Sequence, residues 1–394
     1  VHPALKEPIQ LDFKIEGERV KDVSFKLGHV HRGIEWAATR RNSIQVLYLA
    51  ERVCGICNIC HPIAFCQSME EIANIKIPER AEYLRVIYSE LERIHSHILW
   101  AGVAAHELGF DSVLHYTWKL RESVLDVVEL ISGNRITKGI MMIGGVRRDI
   151  TEDQVPKIKE SLELYNKAFK KLGDIFLKDP SVKARTQGVG IMTKKEALEY
   201  CAVGPTARAS GVNKDVRQDF PYAAYSNLNV KAIMPDVLTG EINGDVYDRI
   251  IVRLLEVKQS VELIEKCLKE MPEGPILHTP ALQKLLVDLK MAEGEGIGLM
   301  EAPRGELIHY VKIRANEENP YSWKIRAPTY ANLLPLKPIL RDCQIADIPI
   351  AAASIDPCMS CMNRAIIPKE NKVMGIQEMR ELSWKKTREL RGEF

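Results

Sequence analysis

Two C-x-x-C pairs stand at opposite ends of the chain: Cys54 and Cys57 in "RVCGICNICHPIAFC" (52–66), Cys358 and Cys361 in "DPCMSCMNR" (356–364). Residues 58–357 lie between them. A zinc ribbon places its pairs about 15–20 residues apart because a small knuckle closes on itself, so this separation disfavours a structural zinc site while leaving it open. Cys54, Cys57 and Cys60 imitate the start of a bacterial ferredoxin run, whose fourth cysteine and proline should follow directly. Here those positions are Ala64 and Phe65, and Cys66 comes two residues late. Four thiolates drawn from both ends of a large domain instead predict a buried metal site enclosed by the core. Soft thiolates select nickel, iron, copper(I) or zinc over magnesium or calcium. Cysteines at i and i+3 on a helical turn point the same way, so each pair can give one thiolate to one metal and share the other between two.

The chain has the means to bury such a site: 394 residues with 46% hydrophobic content support a large core. Its 55 basic and 53 acidic residues leave a net charge of +2, which gives no footprint for nucleic acid or an anionic membrane. Nine cysteines, an odd number without small-domain spacing, argue against a disulfide framework and for a reducing cytoplasm. Apolar runs such as "IPIAAASI" fall short of the roughly 20 residues that span a bilayer, and no signal peptide precedes the first motif, so the polypeptide is expected to be soluble. The opening "VHPALKEP" lacks methionine, so the true start is expected a few residues upstream.

"LDFKIEGERVKDVSFKL" (11–27) alternates apolar and polar residues around a turn, a β-hairpin pattern. From about 34 to 135 the period becomes helical, and the stretch beginning "SVLHYTW" stops at Ser-Gly. Further helices are expected at 151–177, opened by a Thr-x-x-Gln cap, and at 244–271, with "GELIHYVKI" and "YSWKIRAP" as short strands. The expected fold class is α+β and predominantly helical, a long-helix core with a small N-terminal β-sheet. One domain covers residues 1–364, with 365–394 as a C-terminal extension.

"RVCGICNICH" fits R-x-C-G-x-C-x-x-x-H and "DPCMSCMNR" fits D-P-C-x-x-C-x-x-R, so the chain resembles the large subunits of nickel-iron hydrogenases. The closing arginine is similar to the energy-converting, membrane-bound class related to the quinone-site subunit of respiratory complex I. "HPALKEP" (2–8), "HRGIEW" (31–36), "LERIHSHILWAG" (91–102), "GFDS" (109–112), "GGVRRD" (144–149) and "EAPRGE" (301–306) agree with that class. The resemblance implies a nickel-iron large-subunit fold and a binuclear centre carrying cyanide and carbon monoxide on iron. Cys54 and Cys358 would be terminal nickel ligands, and Cys57 and Cys361 would bridge the metals. It implies Glu7 as the proton relay after a terminal thiolate, and Arg304 over the open metal position. His61 would donate a hydrogen bond to a cysteine sulfur, with Asp111 and Asp356 as weaker supporting residues. From sequence alone each has a plainer reading: a solvated loop glutamate, an ion-paired surface arginine, a satisfied core histidine, a turn or cap aspartate.

Cys60, Cys66, Cys201, Cys267 and Cys343 are expected to be small core residues. His29, His31, His95, His97, His106 and His115 form no recognisable metal motif; His95 and His97, two apart on a helix, diverge. "AEGEGIGLM" (292–300) lacks the G-x-G-x-x-G ending, so no nucleotide is expected. The resemblance further implies partners: an iron-sulfur small subunit, since clusters are expected only there, a ferredoxin-like electron-transfer subunit, membrane-arm subunits and a maturation endopeptidase. That endopeptidase would cut between Arg364 and Ala365. The implied location is the cytoplasm, peripheral on the inner face of the membrane through those partners.

Overall fold

The computed structural model describes residues 7–362 and 376–392. The expected hairpin forms as β1 (Gln10–Glu16) and β2 (Arg19–Lys26), antiparallel, with an irregularity between Lys14 and Ile15. Among the described residues the rest is mainly helical. The elements that matter for the site are α1 (Cys60–Ile72), α2 (Glu79–Glu107), α3 (Asp111–Ser132), α4 (Val155–Lys178) and α5 (Val246–Glu270).

Local chemistry sets their ends. Pro78 precedes α2, and Glu79 and Glu82 occupy its first turn, where negative charge meets the positive end of the helix dipole. Gly133 closes α3 at φ 89, a conformation that costs glycine little. The Thr-x-x-Gln cap expected for α4 lies too early: Thr151 donates its backbone N–H to Gln154 Oε1 (3.1 Å), and the helix starts at Val155, beside Pro156. Proline in a first turn loses no intrahelical bond, so it wins the boundary. The side chain of Asp245 caps α5 by accepting from Asp248 N at 2.9 Å.

Helix α2 packs against α3 and α5, and its middle is enclosed on every side. The third layer is a sheet of β3 (Gly294–Ala302), β4 (Gly305–Ile313) and β5 (Ser322–Arg326), all antiparallel. The segment "AEGEGIGLM" is thus strand β3. Its glycines serve packing: a Cβ on Gly298 would stand 1.7 Å from the carbonyl oxygen of Ala64, and one on Gly296 2.2 Å from that of Ser68. Their absence lets α1 lie directly on the sheet. No helix among the described residues is long and apolar enough to cross a membrane.

Of the five cysteines expected in the core, Cys60, Cys66, Cys267 and Cys343 are buried, but Cys201 is exposed. It follows the short helix Lys194–Glu199 at φ 54, a turn on the surface with no core to enter.

Candidate metal centre

The two cysteine pairs meet in the interior. Cys54 Sγ and Cys358 Sγ lie 3.2 Å apart, and Cys361 Sγ donates to Cys358 Sγ at 3.1 Å. The sulfurs of Cys54, Cys358 and Cys361 fall within 4.8 Å of one another, and Cys57 hydrogen-bonds to both Cys54 and Cys361. The first pair sits in a bend before α1, not on the helical turn its spacing predicted, and Cys57 N donates to Cys54 Sγ at 3.2 Å. Cys358 precedes the short helix α6 (Met359–Met362), which carries Cys361.

Hydrogen bonds from Cys361 and Cys54 hold the Cys57 thiol down to about 6. Cys358 is pushed up to about 12: Cys361 pulls it down, but Cys54 and burial outweigh that. Cys361 is raised well above an ordinary thiol by its bonds to Cys358, Cys54 and Cys57. Cys57, Cys358 and Cys361 pull on one another's protons and cannot all ionise together. A multivalent soft cation removes that conflict by replacing the protons. The donor set therefore fits nickel and iron, with Cys54, Cys57, Cys358 and Cys361 as the residues that would hold them.

One stripe of α2 reaches the start of α1, Arg304 and the approach to the second cysteine pair. At i, i+4 and i+8 it presents Glu92, Ser96 and Trp100 to one side. Glu92, fully buried, accepts from the backbone N–H of Ile59 (2.5 Å) and Cys60 (3.0 Å). It thereby caps the start of α1, which has no side-chain cap of its own. Ser96 Oγ accepts from Arg304 Nη1 (3.2 Å), and Trp100 Nε1 donates to the carbonyl of Ala353 (2.8 Å) just before the second cysteine loop. One turn around, Arg93 donates to the carbonyls of Glu301 (2.7 Å) and Ala302 (3.3 Å), fixing the β3–β4 turn. Apolar periodicity marks this helix without assigning these roles; polar residues at four-residue spacing inside an apolar helix are the available signal.

Arg304 projects from that turn. Its Nη1 donates to Cys57 Sγ at 3.1 Å, its Nη2 to Asp356 Oδ1 at 3.0 Å, and its Nε to the Asp356 carbonyl at 2.7 Å. Burial works against its charge, but Asp356 and then Cys57 more than restore it. Asp356 can face Arg304 with both carboxylate and carbonyl because it sits at φ 52, a conformation aspartate tolerates better than most residues. Gly204 and Gly305 let the turn seat: a Cβ on Gly204 would stand 2.4 Å from Gly305 Cα.

Glu7 reaches the second pair, accepting from Ser360 N at 2.6 Å and from Ser360 Oγ. Its carboxyl is raised, first by burial and then by the Cys358 sulfur, with Ser360 opposing. His61 Nε2 lies 3.5 Å from Cys361 Sγ, and burial presses its pKa down to about 3, so the ring is neutral. Asp111 is not brought to the site: its side chain is 68% exposed and pairs with His106 at 2.6 Å, because it begins α3 at the surface. Arg364 and the expected cut before Ala365 lie outside the described residues; within the extension, α7 (Ile376–Arg391) is helical. Three further residues join the site that the sequence does not single out. Arg32 donates to the carbonyls of Val53 (2.7 Å) and Ser360 (3.3 Å) and staples the two cysteine loops. His309 and Trp323 stand behind His61.

The chain is similar to several known proteins. A family model described as the respiratory-chain NADH dehydrogenase 49 kDa subunit matches residues 107–364, and one for nickel-dependent hydrogenase matches 32–102. The chain is 46% identical to the membrane-bound hydrogenase subunit alpha of Pyrococcus furiosus, across 99% of this chain and 92% of that protein. It is 38% identical to the carbon monoxide-induced hydrogenase of Rhodospirillum rubrum, across 92% and 97%. Among solved structures, a chain of the membrane-bound sulfane sulfur reductase, an archaeal respiratory membrane complex, superimposes with TM-score 0.85 at 28% identity over 92% of this chain and 97% of that one. The chain belongs to the family that joins the large subunits of nickel-dependent, membrane-bound hydrogenases to the 49 kDa subunit of respiratory NADH dehydrogenase.

Proposed function

We propose that the chain is the catalytic subunit of an energy-converting nickel-iron hydrogenase, interconverting dihydrogen with two protons and two electrons. The observation that carries this reading is the convergence of the Cys54, Cys358 and Cys361 sulfurs, with Cys57 beside them under the Arg304 guanidinium. When bound, the nickel-iron pair, with cyanide and carbon monoxide on iron, supplies the open position and the electron pair at which dihydrogen is split or made.

The chain's own residues do the rest. Arg304, fixed by Asp356 and Ser96, keeps a charged donor beside the sulfurs where polarity develops in the reaction. Cys358 Sγ takes or returns the proton, and Glu7, whose carboxyl feels that sulfur, carries it outward. The core around the site excludes water. Electrons pass to an iron-sulfur small subunit and then a ferredoxin-like subunit; membrane-arm subunits hold the assembly on the inner face of the membrane. A maturation endopeptidase removes the extension.

Similarity to the sulfane sulfur reductase supports a second reading, a sulfur- or quinone-reducing complex subunit that shares the fold. Retention of all four cysteines favours the hydrogenase. A zinc-bearing scaffold is the third. Elemental analysis and infrared spectroscopy of the purified complex separate them: nickel with iron and cyanide and carbon monoxide bands are expected, and zinc alone would overturn the proposal. Glu7→Gln should slow proton exchange with dihydrogen while the metals stay bound; unchanged exchange would remove Glu7 from the route.

A further inference from the structure

Behind Cys361 runs a chain of three buried rings. Trp323 Nε1 lies 3.2 Å from His309 Nδ1, His309 Nε2 lies 3.0 Å from His61 Nδ1, and His61 Nε2 lies 3.5 Å from Cys361 Sγ. Strands β4 and β5 place His309 and Trp323 diagonally on the sheet face that α1 covers, with Val311 opposite Trp323 and Ile325 opposite His309. Phe65 of α1 packs edge-on against Trp323 at 5.7 Å between ring centroids.

The direction of every bond in this chain is forced from one end. An indole N–H can only donate, so His309 Nδ1 must accept. A neutral imidazole has one donor and one acceptor, so His309 carries its proton on Nε2 and donates to His61 Nδ1. His61 in turn carries its proton on Nε2 and donates to Cys361 Sγ. A second proton on either ring would set N–H against N–H. In the chain without metals, loss of the indole would let the whole chain reverse, with Cys361 donating to His61; a ligating Cys361 sulfur can only accept.

We propose that Trp323 and His309 are positioning residues of the centre, which lock His61 as the Nε2–H tautomer and so hold a fixed donor against the Cys361 sulfur. The proposal rests on the reading of Cys361 as a metal ligand. A donated hydrogen bond draws electron density from a ligating thiolate and tunes the metals it joins.

Two measurements test it separately. In the full-length chain produced without metal insertion, labelled with ¹⁵N-histidine, long-range nitrogen–proton correlations report the tautomers, and His61→Gln and His309→Gln identify the two rings. His61 and His309 should each show a single Nε2–H form. Trp323→Phe should convert both to mixtures. His309→Gln, whose amide oxygen accepts from Trp323 and whose amide nitrogen donates to His61, should leave the His61 tautomer single; His309→Leu should not. An Nδ1–H form of His61 in the parent, or a single unchanged tautomer in Trp323→Phe, would overturn the inference. In the matured complex, where the ligating sulfur can only accept, the infrared bands of the diatomic ligands should shift in His309→Leu, which takes the donor from His61 Nδ1, and stay in place in His309→Gln; bands unmoved in His309→Leu would equally overturn it. Absence of such bands from the parent would refute the hydrogenase reading, and the tautomers would then decide this inference alone.

Discussion

The two cysteine pairs are held by different means. Cys54 and Cys57 rest on the middle of the fold: Glu92 caps the helix that follows them, and Arg304 reaches Cys57 from a turn that Arg93 grips. Cys358 stands just before a one-turn helix and Cys361 rides on it. They are kept in place by a few contacts from scattered segments: Thr329 Oγ1 accepting from Cys358 N at 3.0 Å, Glu7 on Ser360, His61 behind Cys361. Asp356 leads into them in a strained backbone conformation. The site is built from one side by the core and closed from the other by contacts that form only when the chain's end arrives. Local stability should follow the same asymmetry.

The largest effect should come from the built side. Glu92→Ala leaves Lys138, buried 4.0 Å from that carboxylate, without its charge partner, and strands two backbone donors. Chemical denaturation should show a loss of about 3–5 kcal/mol; a loss under about 1 kcal/mol would mean the first pair does not depend on the core. On the closing side, Asp356→Asn keeps a residue that tolerates the left-handed backbone but removes the charge facing Arg304, a loss of about 1.5–3 kcal/mol by the same measurement. Thr329→Val removes one neutral bond, worth about 1 kcal/mol. It should speed the reaction of Cys358 with a thiol reagent and leave Cys54 unchanged; equal acceleration of both would erase the distinction between the pairs.

The smallest effect concerns pH. The native Glu7 carboxyl is raised above its ordinary 4.5, first by burial and then by Cys358, so the folded chain holds that proton more tightly than the unfolded one. Its contribution to stability is complete below 4.5 and is lost as pH rises through the native value. Glu7→Gln should flatten that part of the stability curve in the full-length chain without metals, and a steeper decline would contradict the burial of Glu7.

The same asymmetry explains what can be read from the sequence. Paired cysteines with their flanking arginine, glycine, proline and aspartate carry their pattern locally, so Cys54, Cys57, Cys358 and Cys361 are legible in the chain itself. Arg304 and Glu7 stand out only through resemblance, since nothing in "APRG" or "LKEP" fixes what lies across from them. Helices with long apolar periodicity are clear. Strand β3 is not, because glycines that make room for α1 weaken the strand pattern. Glu92, Ser96 and Trp100 show only as a four-residue spacing whose roles the sequence does not assign, and Arg32, His309 and Trp323 stay hidden because their partners lie far away in sequence. Asp111 fails for the opposite reason: its motif is local, but α3 begins at the surface and takes it there.

The central claim is that sulfurs from both pairs enclose one nickel-iron centre. X-ray absorption at the nickel edge of the purified, matured complex tests it most directly. A nickel environment dominated by sulfur, with an iron neighbour, is expected, and loss of that signal in both Cys57→Ser and Cys361→Ser. Nickel bound through nitrogen and oxygen, or no nickel where zinc is found instead, would contradict it.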